Sequence, residues 1–239
     1  MSTHASALPP AGLKVLSVLL LLLALPLGYL GFTTFVAALS HQQAKLFLDH
    51  WGDKKTEPSV QAWQVAVDAS EHALSWSPGS NGAYADTQGR VYEWYQVQSA
   101  PFGDSAAEPA RRKALAAYRQ SVESRPLWPY TWVQVAYAKL RLLEFDAEFD
   151  AALVRARTLG EGRVRVHAPL VEIGMIAWPS LDAEQRAATW ESLALLLRYA
   201  PRKAKSLQVL AQKAGLYPQL CVSLDPDLLK QRGWCQPAP

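Results

Sequence analysis

Charge is almost absent from the start of this sequence: before residue 41 the only charged side chain is Lys14. No excess of one sign follows, because 23 Lys and Arg residues then stand against 21 Asp and Glu. That even balance excludes a nucleic-acid partner, which normally demands a clear basic excess or stripe. Cysteine is equally scarce. Cys221 and Cys235 are the two in the chain, and no histidine or further cysteine lies close enough to complete a zinc site, so no metal is expected. The patterns G-x-x-x-x-G-K-[ST], G-x-S-x-G, H-E-x-x-H and C-x-x-C are all missing. Phosphate-loop, hydrolase-elbow, zincin and thioredoxin-type chemistry therefore lose their sequence basis, and no catalytic residue or cofactor is assigned. Convincing alternation of apolar and polar residues is also missing, so no strand is expected.

What the sequence does contain is a run from Val15 to Leu39, 25 residues without a charge. At about 1.5 Å per residue this exceeds the roughly 30 Å hydrocarbon core of a bilayer, so one helix can cross it. The reading is a tail at 1–14, a transmembrane anchor at 15–39, a helical domain at 41–217 and a C-terminal tail at 218–239. Val36-Ala37-Ala38 resembles a cleavage site, but the apolar run is far longer than the h-region of about 7–15 residues in a signal peptide. An uncleaved anchor is expected. Loop charge does not settle orientation: the tail has Lys14 and the amino terminus, while on the far side Lys45, Lys54 and Lys55 are offset by Asp49, Asp53 and Glu57. A tail inside and a domain outside is the orientation under which the cysteine pair is useful. Joined, the pair closes a short loop and stabilises it by about 3 kcal/mol in the chain-entropy model; left apart, it is two unrelated thiols.

Beyond the anchor the pattern is helical throughout. His41 to Trp51 continues the first helix, Pro58 opens the next, and Ser77 to Gly82 ends it. Further helices are predicted from Ala83 to about Ser99, from Glu108 to Ser124, after Pro129, and with Phe149, Ala152, Leu153, Ala156 and Leu159 on one face. Leu170, Ile173 and Gly174 mark another, ending near Pro179. Asp182 with Gln185 reads as a capping box, and Pro201 opens a last run that Gly215 stops. The fold class is all-α: one transmembrane helix, then antiparallel helix pairs stacked as a solenoid.

The stretch PYTWVQVAYAKLRLLEFDAEFDAALVRA resembles a tetratricopeptide unit, with Trp132, Val135, Ala136 and Phe145 in matching places. Leu143 and Glu148 depart from it, standing where that repeat usually has glycine and alanine. The whole layout is similar to the VpsP family of polysaccharide-biosynthesis proteins. The likeness rests on the anchor, the SRPLWPYTW turn at Ser124 to Trp132, LRLLEFDAEFDAALVRARTLG, and AWPSLDAEQRAA with the C-terminal cysteines. It implies a role in making or exporting extracellular polysaccharide in a Gram-negative cell and no known activity. The resulting expectation is a non-enzymatic scaffold or accessory factor in the inner membrane, its domain in the periplasm beside other polysaccharide-assembly proteins. An assembly or quality-control factor for other envelope proteins is the alternative, and a sugar-acting enzyme is a third reading.

Several residues carry chemistry in principle. Glu71 and His72 are neighbours that point about 100° apart and read as a solvated pair. His167 reads as a boundary or capping residue, and Glu144, Asp146, Glu148 and Asp150 as acids favouring a helix start. Trp128, Tyr130, Trp132 and Tyr137 cluster around one turn. Packing is expected for Trp132, Trp190 and Trp128. Tyr130, Tyr137 and Arg141 are the candidate partner-binding residues on the inner surface of the solenoid.

Overall fold

The computed structural model describes residues 10–235, so the expected tail lies outside the described residues up to position 9. Among the described residues the structure holds eleven α-helices and one short 3-10 turn, with no strand. The first, α1 (Pro10–Lys54), runs unbroken for 45 residues through Pro26. Its apolar part is exposed as far as Phe32, whereas Thr33, Ala37, Ala44, Leu48 and Trp51 are buried. Anchor and first core helix are thus one element.

The helices that follow are α2 (Val60–Ser75), α3 (Gly82–Glu93), α4 (Glu108–Ser124), α5 (Pro129–Leu142), α6 (Ala147–Leu159), α7 (Val164–Ile176), α8 (Ala183–Tyr199) and α9 (Pro201–Lys213). Local chemistry sets their starts. Pro129 and Pro201 sit at first helical positions, where a missing N–H costs nothing. The side chains of Ser59, Asn81 and Asp146 accept from free backbone N–H groups of α2, α3 and α6. Asp182 and Gln185 form the expected reciprocal capping box. Consecutive helices pack on one another, and α1 also touches α3, α5 touches α7, and α7 touches α9.

Three expectations need correction. The helix predicted from Ala83 to Ser99 ends at Glu93, and residues 94–99 form turns. Tertiary contacts stop it: the Trp63 indole donates to the Val91 carbonyl at 2.8 Å, the Tyr95 ring packs on Trp63, and Trp94 packs on Trp51. The stretch from 218 onward, expected as a tail, instead supplies most of α10 (Tyr217–Ser223) and all of α11 (Pro226–Gln231). Leu220, Leu224, Leu228, Leu229 and Trp234 bury themselves in a second core with α7, α8 and α9. Cys221 and Cys235 are joined in a disulfide with Cα atoms 5.7 Å apart. Finally, Trp128 is exposed rather than packed, while Trp190 is buried and Trp132 half-buried.

Candidate partner-binding face

Steps of seven and four residues put Tyr130, Tyr137 and Arg141 on one face of α5, and the structure brings all three together there. All are half-buried, and each already has a partner within the chain. The Tyr137 hydroxyl donates to Glu172 Oε1 at 3.0 Å. Burial, then the Glu172 carboxylate, pushes the Tyr137 phenol far up, so it stays a protonated donor. The Arg141 guanidinium lies 5.0 Å from the centre of the Tyr137 ring and 5.5 Å from that of Phe102, and donates to the Val97 carbonyl at 3.2 Å. Arg165 of α7 covers the Tyr130 ring at 5.7 Å. Such cation–ring contacts contribute about 0.5–1 kcal/mol at exposed sites, and they leave less ring face for a partner than the sequence implied.

Glu93, at the end of α3, went unnoticed in the sequence. Tyr118 donates to its Oε2 at 2.6 Å, while its other oxygen and Arg141 Nε are buried without hydrogen-bond partners. Burial raises the Glu93 pKa against the pull of Arg141 and Tyr118. Glu93, Arg141, Tyr118 and Tyr137 thus form a largely buried polar cluster, with the Glu172 carboxylate on the Tyr137 hydroxyl. The turn-rich segment after Glu93 is tied to α5 by another buried cation. Arg111 donates to the carbonyls of Pro101 at 2.8 Å, Ala100 at 3.0 Å and Arg141 at 3.1 Å.

The acidic group around residue 146 also has a structural partner. Lys139 is 1% exposed and its ammonium reaches Asp146 at 2.9 Å, Glu148 at 2.9 Å and Glu144 at 3.2 Å. Burial works against the charge, but the three acceptors outweigh it and the Lys139 pKa is raised. Asp146 caps α6 as expected, and Arg112 and Arg119 hold Glu144 and Glu148 from the other side. This is a clamp between α5 and α6. Of the expected solvated pair, both residues are exposed, though Glu71 accepts a hydrogen bond from Tyr92 at 2.7 Å.

His167 corrects a further expectation: it is buried in the first turn of α7, with Nδ1 2.9 Å from the Ser192 hydroxyl. Burial, helped by Arg157, lowers its pKa, so it packs as a neutral ring. A cavity of about 340 Å³ beside this pair and another of about 160 Å³ between α6, α7 and α8 have mixed linings. Among the described residues no group of three or more His, Cys, Asp or Glu side chains converges as metal ligands. Compared with known proteins, the chain matches no family model, no curated protein and no solved structure.

Proposed function

We propose that this chain is a non-enzymatic, single-pass protein of a Gram-negative inner membrane whose periplasmic helical-repeat domain serves extracellular polysaccharide biosynthesis or export as a scaffold or accessory factor. The observation that carries the reading is the continuity of α1, whose apolar half is long enough to span a bilayer and whose polar half is built into the domain core. An anchored domain is confined to the membrane plane, which raises its effective concentration toward neighbouring membrane proteins. The Cys221–Cys235 disulfide favours the periplasmic side, because such bonds persist in oxidising compartments. The likeness to the VpsP family supplies the polysaccharide context, and the α5 face with Tyr130, Tyr137 and Arg141 is the contact surface we assign to partners. An uncleaved anchor agrees with Ala37, which is buried within α1 against the domain.

The test is deletion of the gene followed by measurement of secreted polysaccharide. Polymer output should fall, and should return with a version in which residues before Phe32 are replaced by an unrelated transmembrane helix. Normal polymer without the gene would remove this function.

A further inference from the structure

We propose that the end of the domain bearing Trp76, Leu127 and Trp128 rests in the interfacial layer of the same bilayer that α1 crosses; the inference depends on the reading of α1 as a membrane anchor. Lys14 and Phe32 are 18 positions apart, about 27 Å of helix, which matches one hydrocarbon core. At Phe32 the domain begins: the Trp76 ring meets the Phe32 ring edge-on at 6.0 Å, at the C-terminal end of α2. The apolar run nevertheless continues past this contact, with Phe35 66% and Leu39 62% exposed. Lipid that covers Phe35 and Leu39 necessarily reaches Trp76, which sits about two turns nearer the bilayer centre than Leu39 and is itself 39% exposed.

Register extends the argument to the next turn. His41 stacks on Tyr84 and Trp51 packs on Trp94, so α1 and α3 run parallel at an offset of 43 positions. Gly82 is therefore level with Leu39, the last residue of the apolar run. The Gly82 carbonyl accepts from Arg125 Nη2 and from the Ser121 hydroxyl, both at 2.7 Å, which brings the end of α4 to that level. The turn that follows presents Leu127 at 77% and Trp128 at 43% exposure. Tryptophan and apolar side chains at this depth are favoured by the membrane interface, where an amphipathic ring is wetted at one edge. Arg125 covers Trp128, and together with Arg163 before α7 and Arg165 in its first turn it makes three cations against Glu123 and Glu161, so lipid phosphates meet a slight basic excess.

The experiment uses the full chain, one copy per lipid nanodisc, with its native disulfide oxidised and one added cysteine carrying an environment-sensitive fluorophore. Labels are placed through Leu127→Cys, through Ser105→Cys in the exposed α3–α4 loop at the opposite end, and through Leu21→Cys within the anchor. Lipids carrying a quencher near the headgroup should quench the label at 127 several-fold more than the label at 105, and acyl-chain quenchers should reach the label at 21. Equal, weak quenching at 127 and 105 with the anchor label quenched overturns the inference and leaves the anchor standing. A label at 127 shielded from aqueous iodide yet untouched by lipid quenchers means a protein surface covers it, and also overturns the inference. A label at 21 that no lipid quencher reaches overturns the anchor and the inference together.

Discussion

Replacing Lys139 with methionine tests the electrostatic clamp between α5 and α6. Methionine preserves the unbranched apolar stem, so the change removes the buried charge rather than the packing. Removing one partner of a fully buried ion pair costs about 3–5 kcal/mol, because the remaining charge is stranded. Here the stranded groups are Glu144, Asp146 and Glu148, whose side chains are 29%, 57% and 33% exposed. Glu144 and Glu148 also retain Arg112 and Arg119. Water and the two arginines absorb part of the loss, leaving about 2 kcal/mol. A domain of this size loses about 2–4 °C of Tm per kcal/mol, so melting followed by helical circular dichroism in micelles should shift down by about 4–8 °C. Acid gives a second readout. For Asp146, burial pushes upward but the Lys139 hydrogen bond and the Phe149 amide outweigh it, and its pKa is lowered. Glu148 is lowered first by Arg119, then by Lys139 against its burial. Groups with lowered folded values stabilise above the ordinary carboxylate pKa of about 4 and lose that contribution as pH falls through the folded values. The gap between wild type and variant should therefore narrow below about pH 4. A gap under 2 °C at neutral pH, or one that widens in acid, would refute the clamp.

Two further outcomes follow from packing and covalent chemistry. Gly89→Ala would place a methyl carbon 2.4 Å from the ring of Tyr118, which is fully buried and held by Glu93, so overpacking should cost about 1–3 kcal/mol; unchanged chemical denaturation would mean the ring has room to move. Reducing the Cys221–Cys235 disulfide should remove about 3 kcal/mol from the C-terminal unit and speed hydrogen exchange at the amides of Leu220 and Leu229, with little change in α4 and α5; uniform exchange across the chain would show that the two cores unfold together.

How much of this was legible in the sequence follows the range of the interactions concerned. Helix starts depend on a side chain and an amide within three residues, and Asp182, Asp146, Pro129 and Pro201 announced theirs. Burial of charge is a tertiary outcome, so Lys139, Arg111 and Glu93 looked like ordinary surface residues; the one clue was Lys139 lying on the apolar stripe of α5. Leu143 gave a mixed signal. It ends α5 in the left-handed region at φ 58°, where the 144 amide reaches back to the Lys139 carbonyl at 2.9 Å, a helix ending that favours glycine. The helices after residue 216 have seven and six residues, too short for periodicity to register. Spacing alone put Tyr130, Tyr137 and Arg141 on one face of α5, but the intramolecular partners of Tyr137 and Arg141 come from α7 and from the segment after α3, which spacing within α5 cannot reveal.

The proposed tethering role would depend on one mechanical property of α1. A flexible linker would let the domain sample all orientations above the membrane, and effective concentration toward a neighbour would follow linker length alone. Here residues beyond the anchor belong to the core: Ala44, Leu48 and Trp51 are buried among side chains of the following helices. Swivelling the domain about α1 would expose Leu48 and Trp51 at about 1.5–3 kcal/mol for a side chain of leucine size and more for tryptophan. An anchor formed by α1 would therefore fix direction as well as distance, holding the α5 face at one height and heading relative to the bilayer. This is why an exchanged anchor must join upstream of Phe32: an insertion between Ser40 and Ala44 would rotate the helix before it by about 100° for each residue added and turn Phe32 away from Trp76 and Ala37 out of its buried position, so such a variant should lose stability as well as orientation.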